Sequence, residues 1–257
     1  MKIAAFNVLR LGWNKVNKKD VRDIIIEIMS EYSVVLLVKV TDKTGGDPMK
    51  LLLEHLNEYG DNRRNPYGML CSEPLGPKGR QEKFVYFYRE EEVEILEAYQ
   101  YGGNAEDVIT RQPFVVLLKC PNTVVQKLVL IPVHTKPTDT EAELDALHDV
   151  VEDVRKKWQN DNIMILGDFN ADRPHLSKKK KETLRISSAR YHWLIDDDVV
   201  TMTRNNKHTS DRIVVYGERM LEAIVPNSAK AYNFEEELIL TDKQVRLMFR
   251  GIVGTMR

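Results

Sequence analysis

The sequence contains few cysteines, no glycosylation acceptor and no long apolar run. Its two cysteines, Cys71 and Cys120, lie in or beside apolar strand-like segments, and buried free thiols are the favoured interpretation. No Asn-x-Ser/Thr tripeptide occurs anywhere in the 257 residues. No apolar segment approaches the length of a membrane span. These absences argue against a disulfide-stapled secreted fold and against a membrane protein.

The N-terminal segment and the charge balance restrict the class of protein further. Asn7 and Arg10 interrupt the first apolar run too early for a signal peptide. We therefore expect a soluble protein of the cytoplasm or nucleus, or a secreted one if a signal peptide has been removed. The formal net charge of −1 supplies no global attraction to nucleic acid, so any such binding must come from a local patch.

Apolar periodicity predicts strands and helices within one domain spanning residues 1–257, built in two stacked halves. Strands are predicted at residues 2–8, 33–40, 163–166 and 211–217. Helices are predicted at residues 18–32, from residue 47 onward and at residues 138–158. Five strand-like runs between residues 68 and 134 are spaced like an antiparallel meander. The lysines at residues 178–181 predict a surface loop, and the tail from about residue 242 shows no clear pattern.

A polar motif after the strand at residues 163–166 carries the first functional signal. Gly167 allows the backbone to turn there, and Asp168 and Asn170 then project to one side. The carboxylate supplies charge and the amide supplies a neutral donor, a combination that suits a metal-bound phosphate. Taken alone, a polar turn after a strand is the commoner explanation of such a motif.

Other predicted strands also begin or end with a polar residue. Asn7 and His134 stand at the ends of apolar runs, and Asp211 leads another. No role is predicted for the remaining histidines, which are His55, His148, His175, His192 and His208.

These motifs together resemble deoxyribonuclease I-like proteins of the exonuclease–endonuclease–phosphatase superfamily. The matching segments are Ala5-Phe6-Asn7, Ser72-Glu73-Pro74-Leu75-Gly76, Val133-His134-Thr135, Gly167-Asp168-Phe169-Asn170-Ala171-Asp172 and Ser210-Asp211-Arg212-Ile213-Val214. The similarity extends from residue 2 to about residue 234. It implies an α/β (α+β) four-layer sandwich, in which two packed mixed β-sheets are flanked by helices and the site lies where strands end.

The resemblance also implies a reaction, the hydrolysis of DNA phosphodiesters with Mg²⁺ or Ca²⁺ as the cofactor. The catalytic positions that it carries over are His134, its partner Glu82, Asp168, Asn170 and Asp211. Arg111 and Asn170 correspond to phosphate contacts, and Asn7 and Asp168 correspond to part of the metal site. Actin is the protein partner that the resemblance implies, although the segment concerned reads Gly68-Met69-Leu70-Cys71 here.

Two departures from the family pattern affect catalysis. Lys39 stands where the family has its principal metal-binding glutamate. An ammonium and a dication ~4 Å apart repel by roughly 8 kcal/mol at an effective dielectric near 20. Lys39 is either a lysine that snorkels at a sheet edge or an ammonium in the place of the metal, paired with Asp168 and Asn7. The family's second histidine has no counterpart, because the nearest register puts Phe249-Arg250-Gly251 in that strand.

From these observations we predict a pseudonuclease that keeps the fold, has lost most of its catalysis and acts by binding. Its ligands would be DNA or another phosphate compound, bound weakly, or a protein partner. Mg²⁺ or Ca²⁺ would bind weakly or not at all. The alternative is an active Mg²⁺/Ca²⁺-dependent DNA endonuclease with a rearranged site built on His134 and Asp168.

Overall fold

Two six-stranded sheets form the centre of the structure. The computed structural model describes residues 1–41, 47–103, 107–172, 175–201, 208–232 and 250–257. The strands in these residues are β1 (Lys2–Leu11), β2 (Val34–Val40), β3 (Tyr67–Cys71), β4 (Lys83–Arg89), β5 (Glu94–Gln100), β6 (Phe114–Lys119), β7 (Lys127–His134), β8 (Ile163–Asp168), β9 (Tyr191–Trp193), β10 (Asp211–Tyr216), β11 (Lys230–Ala231) and β12 (Arg250–Thr255). The α-helices there are α1 (Trp13–Val16), α2 (Lys19–Met29), α3 (Pro48–Glu58), α4 (Thr140–Trp158), α5 (Lys178–Glu182) and α6 (Glu218–Ala223).

Each sheet mixes parallel and antiparallel pairs. The strand order is β11-β12-β1-β2-β4-β3 in the first sheet and β5-β6-β7-β8-β10-β9 in the second. The pairs β1–β2 and β7–β8 are parallel, and the other pairs are antiparallel. None of the described helices combines the length and the apolar character needed to cross a membrane.

Alternation along the strands sorts apolar side chains into layers. On β1, Ile3 and Ala5 join the core between the sheets, which also contains Leu166 of β8. Ala4 and Phe6 point the other way and pack with helices α2 and α3. Helix α4 packs on the outer face of the second sheet. The resulting order of helix, sheet, sheet and helix confirms the four-layer sandwich that the resemblance implied.

Helix α4 determines which strand ends meet. Its apolar stripe of Leu144, Leu147, Val151 and Val154 packs on the second sheet. Acidic residues in its first turn and basic residues in its last turn complement the helix dipole. The helix connects β7 to the parallel strand β8. Both strands therefore run toward the same edge, and their last residues lie side by side.

Three segments differ from the sequence-based predictions. The predicted meander is divided, because β3 and β4 pair in the first sheet whereas β5, β6 and β7 pair in the second. The lysine run forms helix α5 rather than a loop, and the Ser177 side chain caps it by accepting from Lys180 N. Strand β12 forms in the unpatterned tail and places Arg250 opposite Asn7. Residues 242–249 of that tail lie outside the described residues.

Gly167 lies inside strand β8 and not at a turn after it, which corrects the sequence-based interpretation. The strand continues through Asp168. Gly167 has a φ of +136°, and a Cβ atom there would lie 2.3 Å from the carbonyl oxygen of Val133 on β7. Glycine is needed at this position because β7 and β8 approach too closely for a side chain.

Replacing Gly167 by alanine is expected to lower the free energy of unfolding by more than ~1 kcal/mol, because the methyl group meets both a positive φ and the Val133 carbonyl. Urea unfolding of the two proteins measures the difference. Gly60→Ala is the matched control, since Gly60 also has a positive φ but no atom lies within 4 Å of its Cβ position. Equal losses in the two variants would show that the close approach contributes nothing.

Candidate active site

Polar side chains from both sheets meet near the ends of β7 and β8. The register of β7 and β8 places His134 beside Asp168, and the register of β8 and β10 places Asp211 opposite Asp168. Asn7 reaches across from the first sheet, and its Nδ2 donates to Asp168 Oδ2 over 2.7 Å. Together these groups form the strand-end cluster, which comprises Asn7, Glu82, Arg111, His134, Asp168 and Asn170.

Asp168 is the centre of the strand-end cluster. Its side chain is buried. Its Oδ2 accepts from Asn7, and its Oδ1 accepts from the backbone N of Asn170 over 3.2 Å. Asn170 has a φ of +47°, a left-handed conformation that asparagine tolerates better than most residues. Its Nδ2 donates to the Thr135 carbonyl over 3.0 Å. These bonds hold the Gly-Asp-x-Asn motif against the end of β7 before any ligand binds.

The imidazole of His134 lies between two carboxylates. Its Nδ1 is 2.7 Å from Glu82 Oε2, and its Nε2 is 3.7 Å from Asp168 Oδ2. Arg111 Nε lies 2.9 Å from the same Glu82 oxygen, and Arg111 Nη1 donates to the His134 carbonyl over 3.3 Å. Because Glu82 holds Nδ1, Nε2 is the ring atom that faces the centre of the cluster.

The charge state of Glu82 is set by competing effects. Burial alone would raise the pKa of its carboxyl group, but the bond to His134 and the charges of His134, Arg111 and Lys39 lower that pKa below its usual value. Glu82 is therefore an anion at neutral pH. Glu143 behaves differently: burial raises the pKa of its carboxyl group, although that group accepts a hydrogen bond from a threonine side chain.

Lys39 lies in an irregular part of β2 beside the strand-end cluster. Its φ is +66°, and the pairing of β2 with β4 shifts register between Leu37 and Val40. A bulge of this kind redirects a side chain away from the regular alternation of the strand. The residue before Lys39, Val38, pairs with Asn7 of the cluster, so Lys39 follows directly on a strand position that faces the cluster. Its positive charge is one of those that favour the ionised form of Glu82.

A second pairing of histidine with carboxylate lies on the β10 side of Asp168. Asp211 is buried at the start of β10, and His208 precedes it on the chain. His208 Nδ1 lies 3.3 Å from Asp172 Oδ2. We expected no role for His208 from the sequence. Two features of the sequence could have indicated a role for His208. It lies close to Asp211 in the chain, and a carboxylate, Asp172, follows the Gly-Asp-x-Asn motif.

The strand-end cluster offers few ligands to a divalent ion. Mg²⁺ and Ca²⁺ prefer oxygen ligands, above all carboxylates. Asp168 supplies the central carboxylate, and both of its oxygens already accept hydrogen bonds. In the part of the chain that the structure describes, no three His, Cys, Asp or Glu side chains are grouped so that they could hold a metal ion. With Lys39 nearby, this donor set fits a dication poorly.

Comparison with known proteins places the chain in a family. The profile of the Endonuclease/Exonuclease/phosphatase family matches residues 4–226. The chain belongs to this family and, within it, to the deoxyribonuclease I-like proteins. It is 36% identical over 245 residues to Deoxyribonuclease-1-like 2 of Mus musculus, covering 95% of this chain and 86% of that one. It is 35% identical over 240 residues to Deoxyribonuclease-1 of Oryctolagus cuniculus, covering 91% and 84%.

A solved structure has the same fold. The endonuclease/exonuclease/phosphatase family protein from Leptotrichia buccalis C-1013-b matches with a TM-score of 0.66 and 18% identity, covering 100% of this chain and 99% of that one. At this level of identity the likeness concerns the fold alone. The family is one of nucleases and phosphodiesterases that generally depend on divalent metal ions.

Glu82→Gln tests the contribution of the carboxylate charge through pH. Because folding lowers the pKa of Glu82, its stabilising effect is present above the usual carboxyl pKa and is lost as the pH falls through the lower folded-state pKa. We expect the variant to lose about 1.5–3 kcal/mol of stability at neutral pH. The loss should shrink in acid. Urea unfolding at a series of pH values measures both effects.

Glu94→Gln is the control for this experiment. Glu94 lies 2.8 Å from Lys119 on the exposed surface, where an ion pair contributes little to stability. A Glu82→Gln loss that is independent of pH, or that is no larger than the control, would contradict the role assigned to the Glu82 charge.

Proposed function

We propose that this deoxyribonuclease I-like protein binds phosphate groups of DNA, or of another phosphate ligand, at the strand-end cluster and hydrolyses phosphodiesters poorly. Lys39 is the observation that carries the proposal. It follows Val38, the β2 partner of Asn7, and stands at the position where the family resemblance places a metal-binding glutamate. The cluster would therefore meet a phosphate with a fixed ammonium group in place of a metal ion.

The groups around Asp168 suit a phosphate ligand. Arg111, Asn170 and Lys39 bring a guanidinium, an amide and an ammonium group to one end of the two sheets. Guanidinium and ammonium groups form the strongest hydrogen bonds to phosphate oxygens. The contacts of Arg111 with Glu82 and with the His134 carbonyl restrict its rotamers, so less side-chain entropy is lost on binding.

Two features support weak hydrolysis. A dication near Lys39 would be repelled strongly, since unit charges ~4 Å apart interact by about 4 kcal/mol even at an effective dielectric near 20. The second feature is the C-terminal strand β12, which pairs with β1 beside Asn7. No histidine follows His208 in the sequence, so this strand supplies no imidazole. Loss of a positioned acid or base typically lowers the rate by ~10²–10⁴.

The alternative, an active Mg²⁺/Ca²⁺-dependent endonuclease, is favoured by a different observation. His134 is oriented by Glu82, and His208 is held by Asp172 on the β10 side of Asp168. In that case His208, and not the tail, would supply the second imidazole. The two proposals differ in whether the cluster cuts DNA, so a cleavage assay separates them.

Two further proposals concern the domain organisation and a protein partner. We propose that residues 1–257 form one domain, which is supported by the apolar core that both sheets share. A protein partner, such as actin, also stays a prediction. The segment concerned forms β3 at the edge of the first sheet, and an edge strand can pair with a strand of another protein.

Plasmid nicking in Mg²⁺ and Ca²⁺, with and without EDTA, is expected to show little cleavage by the unmodified protein. Binding of an oligonucleotide, followed by fluorescence anisotropy, is expected to persist in EDTA because Lys39 and Arg111 need no metal ion. Metal-dependent cleavage that disappears in His134→Ala but persists in His55→Ala would overturn the proposal and establish the alternative. His55 is a suitable control because it lies on helix α3, away from the cluster.

Lys39→Glu is expected to bind Mg²⁺ at least ~10-fold more tightly than the unmodified protein, because it replaces a repelled charge by a ligand. Isothermal calorimetry measures this affinity. Lys127→Glu makes the same charge change at the exposed start of β7 and should leave Mg²⁺ binding unchanged. We expect little cleavage by Lys39→Glu, because a second imidazole from the tail is still absent. Unchanged Mg²⁺ affinity would refute the charge argument, and full cleavage would refute the argument about the tail.

A further inference from the structure

Lys15 holds an irregular, tightly turned part of β1 that follows Asn7, where the register with β2 shifts. Its Nζ donates to the Val8 carbonyl over 3.1 Å and to the Leu9 carbonyl over 2.9 Å. Leu9 and Arg10 have φ values of +45° and +65°, which side chains larger than glycine or asparagine rarely adopt. Two consecutive residues of this kind persist only where surrounding contacts impose the conformation. The ammonium of Lys15, bonded to both carbonyls, is such a contact.

The same turn determines how the Asn7 side chain is oriented. The backbone N of Leu9 donates to Asn7 Oδ1 over 3.0 Å. That bond fixes which side of the Asn7 amide carries the oxygen. The amide nitrogen, Nδ2, then points at Asp168 Oδ2 and donates to it over 2.7 Å. A change in the backbone at Leu9 would therefore rotate or release the amide that joins the first sheet to the second.

We infer that Lys15 is a positioning residue for the strand-end cluster: by bonding the Val8 and Leu9 carbonyls it fixes the turn that aims Asn7 at Asp168. The contacts run in one unbroken series from Lys15 to the carbonyls, from the Leu9 backbone to Asn7, and from Asn7 to Asp168. The inference concerns this geometry. It rests on the proposed function only where ligand binding is the readout.

The electrostatic position of Lys15 agrees with this role. Burial and the neighbouring charges of Lys39 and Lys18 lower the pKa of Lys15 to about 8. A lysine without a partner would extend into water and away from these like charges, as its long and flexible stem allows. Lys15 remains half-buried beside Lys39 because the two carbonyls bind it. The free-energy cost of placing the Lys15 ammonium near like charges is offset by its two hydrogen bonds to backbone carbonyls.

Lys15→Met tests the inference, because methionine keeps the apolar stem and removes the donor. The readout is the side-chain amide signal of Asn7 in ¹H–¹⁵N spectra of the folded protein. We expect the signal to shift and its amide protons to exchange with water at least ~10-fold faster than in the unmodified protein. Lys15→Arg, which can still donate to two carbonyls, should restore most of the protection. Lys18→Met is the control and should leave the Asn7 signal unchanged.

Oligonucleotide binding by the same variants gives a second, independent readout. The affinity should fall in Lys15→Met and recover in Lys15→Arg, whereas Lys18→Met, which removes an equal positive charge, should leave the affinity nearly unchanged. An Asn7 signal that is unaltered in Lys15→Met would overturn the inference. If that variant does not fold, Lys15→Gln, which keeps one donor group, is tested in the same way. Absence of binding in the unmodified protein would defeat the proposed function, while the Asn7 signal would still decide the role of Lys15.

Discussion

The hydrogen bond from Asn7 Nδ2 to Asp168 Oδ2 connects the two sheets at their polar end. Both residues are about 1% exposed, and an unpaired buried amide or carboxylate would cost ~1–3 kcal/mol or more. Each side chain therefore needs the other. Asp168 in turn sets the positions of the Asn170 backbone N and of His134 Nε2 around it. The packing of one sheet on the other, which the apolar core between them supplies, thus also fixes the distances among the functional groups.

Backbone strain is concentrated around this hydrogen bond. Among the described residues other than glycine, four of the six with positive φ lie in the strand-end cluster or beside it, namely Leu9, Arg10, Lys39 and Asn170. Such conformations cost of order 1–3 kcal/mol each, and they persist where the surroundings over-determine them. The irregularities in β1 and β2 occur in neighbouring strands, one after Asn7 and the other around Lys39. The two strands lose regular pairing where β1 contributes Asn7 to the cluster and where β2 carries Lys39 beside it.

This distribution of strain explains which parts of the site were predictable. Apolar runs reflect burial directly, so they predicted the two strands that end in His134 and Asp168. The structure places these two residues side by side. Irregular backbone leaves no periodic pattern of apolar residues in the sequence. The local pattern therefore gave no sign that Lys15 acts on Asn7. The pairing of His208 with Asp172 joins segments distant in sequence, and the local signal, the short separation of His208 from Asp211, does not identify Asp172 as the partner. Periodicity did not predict strand β12, because glycines interrupt its alternation, whereas the family resemblance placed Phe249-Arg250-Gly251 in a strand there.

The Glu82–His134–Arg111 network agrees better with the proposed phosphate ligand than with a role in folding alone. Burying ionised groups costs several kcal/mol per ion, and apolar residues of similar volume often stabilise a protein as well or better. Folding alone thus gives no reason to hold these side chains at 2.7 and 2.9 Å from one another. In this network His134 Nε2 faces Asp168. A negatively charged ligand bound beside the Asp168 carboxylate would need positive charge to compensate for the repulsion. Lys39 and Arg111 supply positive charge there whether or not the ligand is cut. Both proposals therefore require phosphate recognition by the cluster, and they differ in which cation would neutralise the ligand.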